Sequence, residues 1–251
     1  MIAISTYLLI GLFLPLFPLS MVFNLLFARV ASLPVRAALL LTWPLAGLAL
    51  LHSTGNDVPE PVLIWALATS ALYALRLLAI RDLGTWTGFL ATSVWALLWI
   101  PAREGFELKD IALDALGFSA PLVLLVLIMA LFNSRFGGAY AGVRDGMATS
   151  LPRLSVALII CLLAAVATPP FPGFFTLLSV LIQASPVNMG GMLVIWLLWS
   201  WAAARMIQGF VVGTPAQECN VQDISLPLSW GLALLFMALF LAGVLLTGDL
   251  L

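Results

Sequence analysis

Long apolar runs separated by short polar connections make up the chain from end to end. About 20 apolar residues form one bilayer crossing at about 1.5 Å of rise per residue. On that basis the runs at 2–28, 36–52, 61–80, 84–100, 115–134, 153–168, 171–185, 190–212 and 226–247 predict a bundle of eight or nine transmembrane helices. The uncertain one is the seventh, which would rise only about 22 Å against a hydrocarbon core of about 30 Å. Counting it gives nine spans; losing it would reverse the sidedness of everything that follows. Pro15 and Pro18 should kink the first helix, since each removes a backbone donor and crowds the preceding turn. A membrane barrel is excluded, because its strands alternate apolar and polar residues and these runs are continuous.

Composition turns this pattern into a statement about solvent. Of 251 residues, 63% are hydrophobic and 8% are charged, against about 25% charged in an ordinary soluble domain. The mean hydropathy is +1.17. No water-facing surface can be built from that supply, so the fold class is an all-α integral membrane protein. The net charge of −1 offers no basis for a nucleic-acid partner. Cys161 and Cys219 are far apart and have no metal or haem spacing, so neither a disulfide nor a metal site is expected. The first run lacks a basic start and a small-residue cleavage site, and reads as a retained helix. The longest polar connections, near 101–114 and 135–152, are connectors rather than folded modules. Chemistry on an aqueous metabolite would need a site inside the bundle or a partner subunit.

Charge along the loops suggests an orientation. Arg29 and Arg36, Arg76 and Arg81, and Arg135, Arg144 and Arg153 fall in alternate connections, which the positive-inside rule places in the cytoplasm. Asp57 and Glu60, then Glu104, Glu107, Asp110 and Asp114 with Arg103 and Lys109, then Glu218 and Asp223, fall on the other side. The amino end is then outside and, with nine spans, the carboxyl end inside.

Few residues can carry chemistry. The single histidine, His52, stands at the end of the second run with no second ligand at metal spacing, and reads as an interfacial loop residue. Paired axial histidines for haem are missing; quinone binding is compatible with this count. Ionisable groups inside a membrane are costly and usually functional. Arg76 can snorkel from the end of the third run, Arg205 lies deeper, and Asp114 either caps the fifth span or neutralises an arginine. The only lysine, Lys109, lies in a loop. Pro169, Pro170, Pro172 and Gly173 break the helix between two apolar runs, as a tight turn or as unwound backbone lining a polar cavity. Trp86, Trp99 and Trp230 lie near span ends and read as interfacial anchors.

Four stretches resemble, in order, the antiporter-like proton-conducting membrane subunits shared by respiratory complex I, Mrp cation antiporters, membrane hydrogenases and the DAB inorganic-carbon systems. "IRDLGTWTGFLATSVWALLW" is similar to the family's Asp-Lys-Arg, Ala-Tyr-Ser-Ser helix through Arg81, Asp82, Thr92 and Ser93. "FGGAYAGVRDGMATSLPRLS" is similar to the Gly-Gly-Leu and Met-Pro loop through Pro152. "ATPPFPGFFTLLSVL" resembles Leu-Pro-Pro-Phe-x-Gly-Phe through Pro169, Pro170, Phe171, Gly173 and Phe174. "SWAAARMIQGFVVG" resembles a helix with Leu-Arg-Met and a terminal Phe-x-Gly through Arg205, Met206, Phe210 and Gly213. The resemblance divides the chain into generic transmembrane helices over 1–80 and an antiporter-like region over 81–251. Full members have about 14 helices in two inverted repeats, so the chain looks like a shortened relative.

Its departures are systematic. The stretch "DALGFSAPLVLLVLIMALF" holds neither the family's histidine nor its lysine, and Thr176 and Leu177 stand where the family has Ser-Lys or Ser-Glu. A proton path needs a hydrated series of titratable groups. The resemblance therefore implies a subunit that helps to shape or seal an ion path rather than pumping alone, without cofactor or metal. Its partners would be a complete antiporter-like subunit or another large membrane component, and the lipid bilayer, in a bacterial inner membrane. It would serve an NADH:quinone-type oxidoreductase or an inorganic-carbon uptake complex without being catalytic itself. Arg205, Arg76, Asp82 and Asp114 are its candidate ion-path or inter-subunit charges. The rival reading is a self-contained secondary transporter or quinone-binding protein using the Pro169–Gly173 break and Arg76. Transporters of that kind show paired interrupted helices, and one interruption is visible in the sequence.

Overall fold

A computed structural model describes residues 2–54, 58–105, 107–143, 146–213 and 222–248. Asp57, Arg144, Glu218 and Cys219 lie outside the described residues. The elements are α1 (Ile2–Phe13), α2 (Met21–Arg29), α3 (Leu33–Ser53), α4 (Glu60–Leu77), α5 (Leu83–Ala96), α6 (Trp99–Arg103), α7 (Leu108–Phe136), α8 (Met147–Ser150), α9 (Pro152–Ala165), α10 (Pro172–Gln183), α11 (Pro186–Val211) and α12 (Leu226–Gly248). No strand occurs among the described residues; the nearest approach is an isolated bridge between Asp82 and Tyr140.

Local chemistry explains the boundaries. Prolines occupy the first turn of α3, α4, α9, α10 and α11, where a missing N–H costs nothing. Gly137 ends α7 with φ +73°, a left-handed cap that a β-carbon would oppose. The Asp82 carboxylate accepts from Thr85 N and Thr85 Oγ1, both at 2.7 Å, and starts α5.

Among the described residues, six stretches are long and apolar enough to cross a membrane: Leu33–Ser53, Glu60–Leu77, Leu83–Arg103, Leu108–Phe136, Pro186–Val211 and Leu226–Leu246. Two further crossings are each made of two short helices. α1 and α2 are separated by Leu14–Ser20, so the first span is broken where only a kink was expected. α9 and α10 are likewise the halves of one crossing, because α10 continues along α7 from Gly117 toward Asp114. The sixth and seventh predicted spans are thus a single interrupted one, and the described residues make eight crossings where the apolar runs gave nine.

That correction reverses the end of the chain. The Asp223 carboxylate accepts from Arg153 N (2.8 Å) and Leu154 N (3.2 Å), which places the connection before α12 at the arginine-rich end, not the opposite one. Asp223 also supplies from another segment the N-terminal cap that Leu151 cannot. The carboxyl end of α12 then lies at the same end of the bundle as the start of α1.

The core is built around α5, with α2, α4 and α7 against it. Trp86, Trp95 and Trp99 of this crossing and Trp199 of α11 are wholly buried. α12 lies at the periphery and exposes Leu234 and Leu245.

Candidate functional site

The two interrupted crossings define the site. A break within an apolar bundle strips carbonyls of their helical donors, and no water is there to replace them. Indole N–H groups do so instead. At the first break, Trp43 Nε1 donates to Leu12 O (3.1 Å), Trp99 Nε1 to Leu14 O (3.3 Å) and Trp65 Nε1 to Phe17 O (2.7 Å). Phe17 N donates to Thr69 Oγ1 at 3.0 Å. At the second break, Trp196 Nε1 is shared between Val166 O (3.1 Å) and Ala167 O (3.2 Å), and Thr168 Oγ1 donates to Leu163 O (2.9 Å).

These bonds correct the anchor reading of the tryptophans. Trp86 and Trp99 are fully buried, not interfacial, while Trp230 is 69% exposed on α12. Trp86 Nε1 is buried without a partner among the described residues. An indole in the middle of an apolar run was the available signal: its N–H must be matched when buried, and the freed carbonyls provide the match.

Between the breaks lies a buried network of neutral groups. Ser20 Oγ and Tyr73 OH are 3.0 Å apart, and Asn24 Nδ2 donates to Thr92 Oγ1 at 2.9 Å and to Ser20 O at 3.1 Å. The Ser70 and Ser93 hydroxyls each donate to the other's carbonyl at 2.8 Å, and Trp199 Nε1 donates to Ser93 Oγ at 2.8 Å. Trp95 Nε1 donates to Ser119 Oγ at 3.0 Å. Thr92 and Ser93, singled out by their motif, are thus both committed to joining α5 to its neighbours.

The four candidate charges do not converge. Arg76, Asp82 and Arg205 lie toward the arginine-rich end, whose connections are stitched by Ala141 N to Arg81 O (2.9 Å) and Gly142 N to Gly209 O (2.6 Å). Arg76 is exposed and stands over the rings of Tyr73 (5.7 Å) and Phe17 (6.0 Å), against the first break. Asp82 is occupied in capping α5, with Arg36 close by. Arg36, read from sequence only as a loop charge, sits in the first turn of α3, its guanidinium 5.2 Å over the Phe27 ring and its Nη1 3.1 Å from Met129 Sδ. Arg205 is exposed on α11 and has no hydrogen bond or ion pair among the described residues.

Asp114 belongs to the other half. It does not cap a helix: α7 begins at Leu108, and Asp114 lies in its second turn. There it faces Thr176 of α10 just beyond the second break, with Asp110 nearby toward the helix start. The Thr176 hydroxyl is buried and closes no hydrogen bond of good geometry among the described residues. Gly117 lets α10 this close, since a β-carbon there would stand 2.7 Å from Thr176 Oγ1. Gly243 does the same for α12: a β-carbon would collide with the Pro170 carbonyl oxygen and stand 3.0 Å from the Phe171 carbonyl carbon. Pro169, Pro170, Pro172 and Gly173 lie between the end of α9 and the first turn of α10, where Ala167 adopts φ +56°. His52 is exposed at the end of α3, Cys161 is buried, and no metal-binding group of residues occurs among the described residues.

No protein-family model matches the chain, and no curated protein matches it in sequence. Its structure does have relatives. It superposes on a chain of respiratory complex I from Thermus thermophilus with a TM-score of 0.79 at 21% identity, covering 94% of this chain and 52% of that one. It superposes on a chain of the Mrp complex from Dietzia sp. with a TM-score of 0.82 at 15% identity, covering 99% and 57%. A chain of the membrane-bound sulfane sulfur reductase, an archaeal respiratory membrane complex, gives 0.76 at 16% identity, covering 96% and 52%. The chain therefore spans about half the length of the chains it matches, and the Mrp alignment takes in the helices before residue 81 as well as those after it. The sequence motifs and these superpositions converge on one architecture: an integral membrane protein with the fold of the antiporter-like subunits.

Proposed function

We propose that the protein is a membrane subunit of a multi-subunit proton-conducting complex of the complex I and Mrp type, shaping or sealing an ion path rather than pumping alone. The observation that carries this is a run of titratable groups that stops halfway. Asp110 and Asp114 lead from one end of α7 to Thr176 at the second break. Beyond it toward the arginine-rich end, the α7–α9 interior is lined by Leu122, Leu125, Val126, Met129, Leu158 and Cys161 with only the hydroxyls of Ser119 and Ser155 among them, and holds no carboxylate, histidine or lysine among the described residues. Protons cannot be relayed through such a stretch without hydrated groups from elsewhere.

Arg205 supports the partner half of the proposal. It lies six residues before the end of α11 at Val211, on the same outward face as Trp201 and Gln208. A charge on an outward face of an apolar helix is costly unless it snorkels or meets an acidic group of a neighbour. Arg76 serves the same end in this reading, Asp82 contributes only by holding the start of α5 beside Arg36, and a bacterial inner membrane is its setting. The test is reconstitution into liposomes loaded with a pH-sensitive dye. The chain alone should be silent and should support flux only with a complete antiporter-like subunit, and Arg205→Ala should lower the recovery of that assembly.

A second reading is favoured by one specific observation: the first break supplies the paired interruption that the sequence did not show, and paired interrupted helices are the mark of self-contained transporters. Proton flux by the chain alone, abolished by Asp114→Asn, would establish that reading and overturn the first.

A further inference from the structure

Between α9 and α12 runs an apolar cleft of about 650 Å³ that touches the second break only at Phe171. Val156, Ala157 and Ile160 form one wall, and Leu232, Ala233 and Met237 form the other. One end lies at Arg153 and Ile224, beside the connection before α12. The other end is closed: Phe171 and Phe240 lie there, and three residues on, Gly243 seats α12 against the backbone of the second break. From Ser229 to Phe240 the wall rises about 16 Å, close to the roughly 15 Å of hydrocarbon in one leaflet.

We propose that this cleft holds one phospholipid of the leaflet at the arginine-rich end, its acyl chains along α9 and α12 and its phosphate on Arg153. The depth argues for a lipid rather than a partner's transmembrane helix, because a helix would need a groove crossing the whole bilayer and this one stops at the break. The charge argues the same way. The amides that open α9 are already taken by Asp223, so an anion must be met by the Arg153 side chain. That side chain is exposed and spends Nη1 on Ile224 O at 3.1 Å, which aims it along the mouth and leaves further guanidinium donors for a phosphate.

Native mass spectrometry of the full chain in mild detergent tests this, using phosphatidylglycerol and phosphatidylcholine of identical acyl chains as probes. The wild type should retain one phospholipid. Arg153→Gln should weaken phosphatidylglycerol retention about tenfold, the loss of one charge-assisted contact, and phosphatidylcholine less. Ala233→Trp fills the cleft from an exposed position and should abolish retention of both. If that variant does not fold, Val156→Trp fills the cleft from the opposite, likewise exposed wall. Unchanged retention in the filled and charge-neutral variants would overturn the proposal. So would a filled variant that keeps its lipid but sheds a copurifying membrane subunit, which would make the cleft a protein interface.

Discussion

The two breaks face the same problem of unwound backbone in an apolar bundle, and they solve it differently. The first, at Leu14–Ser20, is wrapped by α3, α4 and α6, which send Trp43, Trp65, Thr69 and Trp99 to four separate backbone groups. The second, at Val166–Phe171, relies on the single indole of Trp196, on a left-handed Ala167, and on glycines that let α7 and α12 press against it. Pro169 is exposed and Phe171 borders the lipid-sized cleft. Ties spread over three helices make a rigid element, whereas few ties and open flanks mark a region that opens at low cost. The carboxylate of Asp114 stands beside the second kind.

The contrast can be broken most strongly at Gly243. Gly243→Val should push α12 off the Pro170 carbonyl and cost about 1–3 kcal/mol, read as a lowered thermal midpoint in detergent. Gly231→Val, on the same helix with open space around it, should stay within about 0.5 kcal/mol. Next in size are the indoles. Trp196→Phe leaves two carbonyls bare and should cost about 1–3 kcal/mol, and Trp43→Phe, equally half-buried but serving one carbonyl, about half as much. Equal losses would show that the second break is not the more sparsely tied.

Smaller effects sharpen the same contrast. Thr69→Val strips the Phe17 N–H of its acceptor and should destabilise by about 1–2 kcal/mol, whereas Thr176→Val removes a hydroxyl with no good partner and should be neutral or slightly stabilising. The smallest change is Ala167→Gly, which relieves a left-handed β-carbon and should gain at most about 1 kcal/mol, since added freedom in the unfolded chain offsets the relief. Urea or thermal unfolding of matched preparations reads both.

Much of this was legible beforehand, and the failures share one cause. The motif residues Pro169 to Gly173 announced the second break because three prolines in four positions cannot continue a helix. The first break was read as a kink, because two prolines in an apolar run do not reveal whether neighbouring helices will supply donors for a full unwinding. They do, from Trp43, Trp65 and Trp99, which lie 31 or more residues along the chain from the carbonyls they serve. Asp114 looked like a cap because its apolar run was started too late. α7 in fact begins seven residues before that run, at Leu108, and its first polar turns continue the same helix.

Composition and run length alone settled that the chain lives in lipid as a helical bundle, because no arrangement of 63% hydrophobic residues can be wetted. The number of crossings, the side on which Asp223 lies and the partners of the indoles were decided only by the packed structure. Hydropathy measures the cost of leaving water, which is local. Whether two apolar runs make two crossings or one depends on which distant donors meet the carbonyls between them.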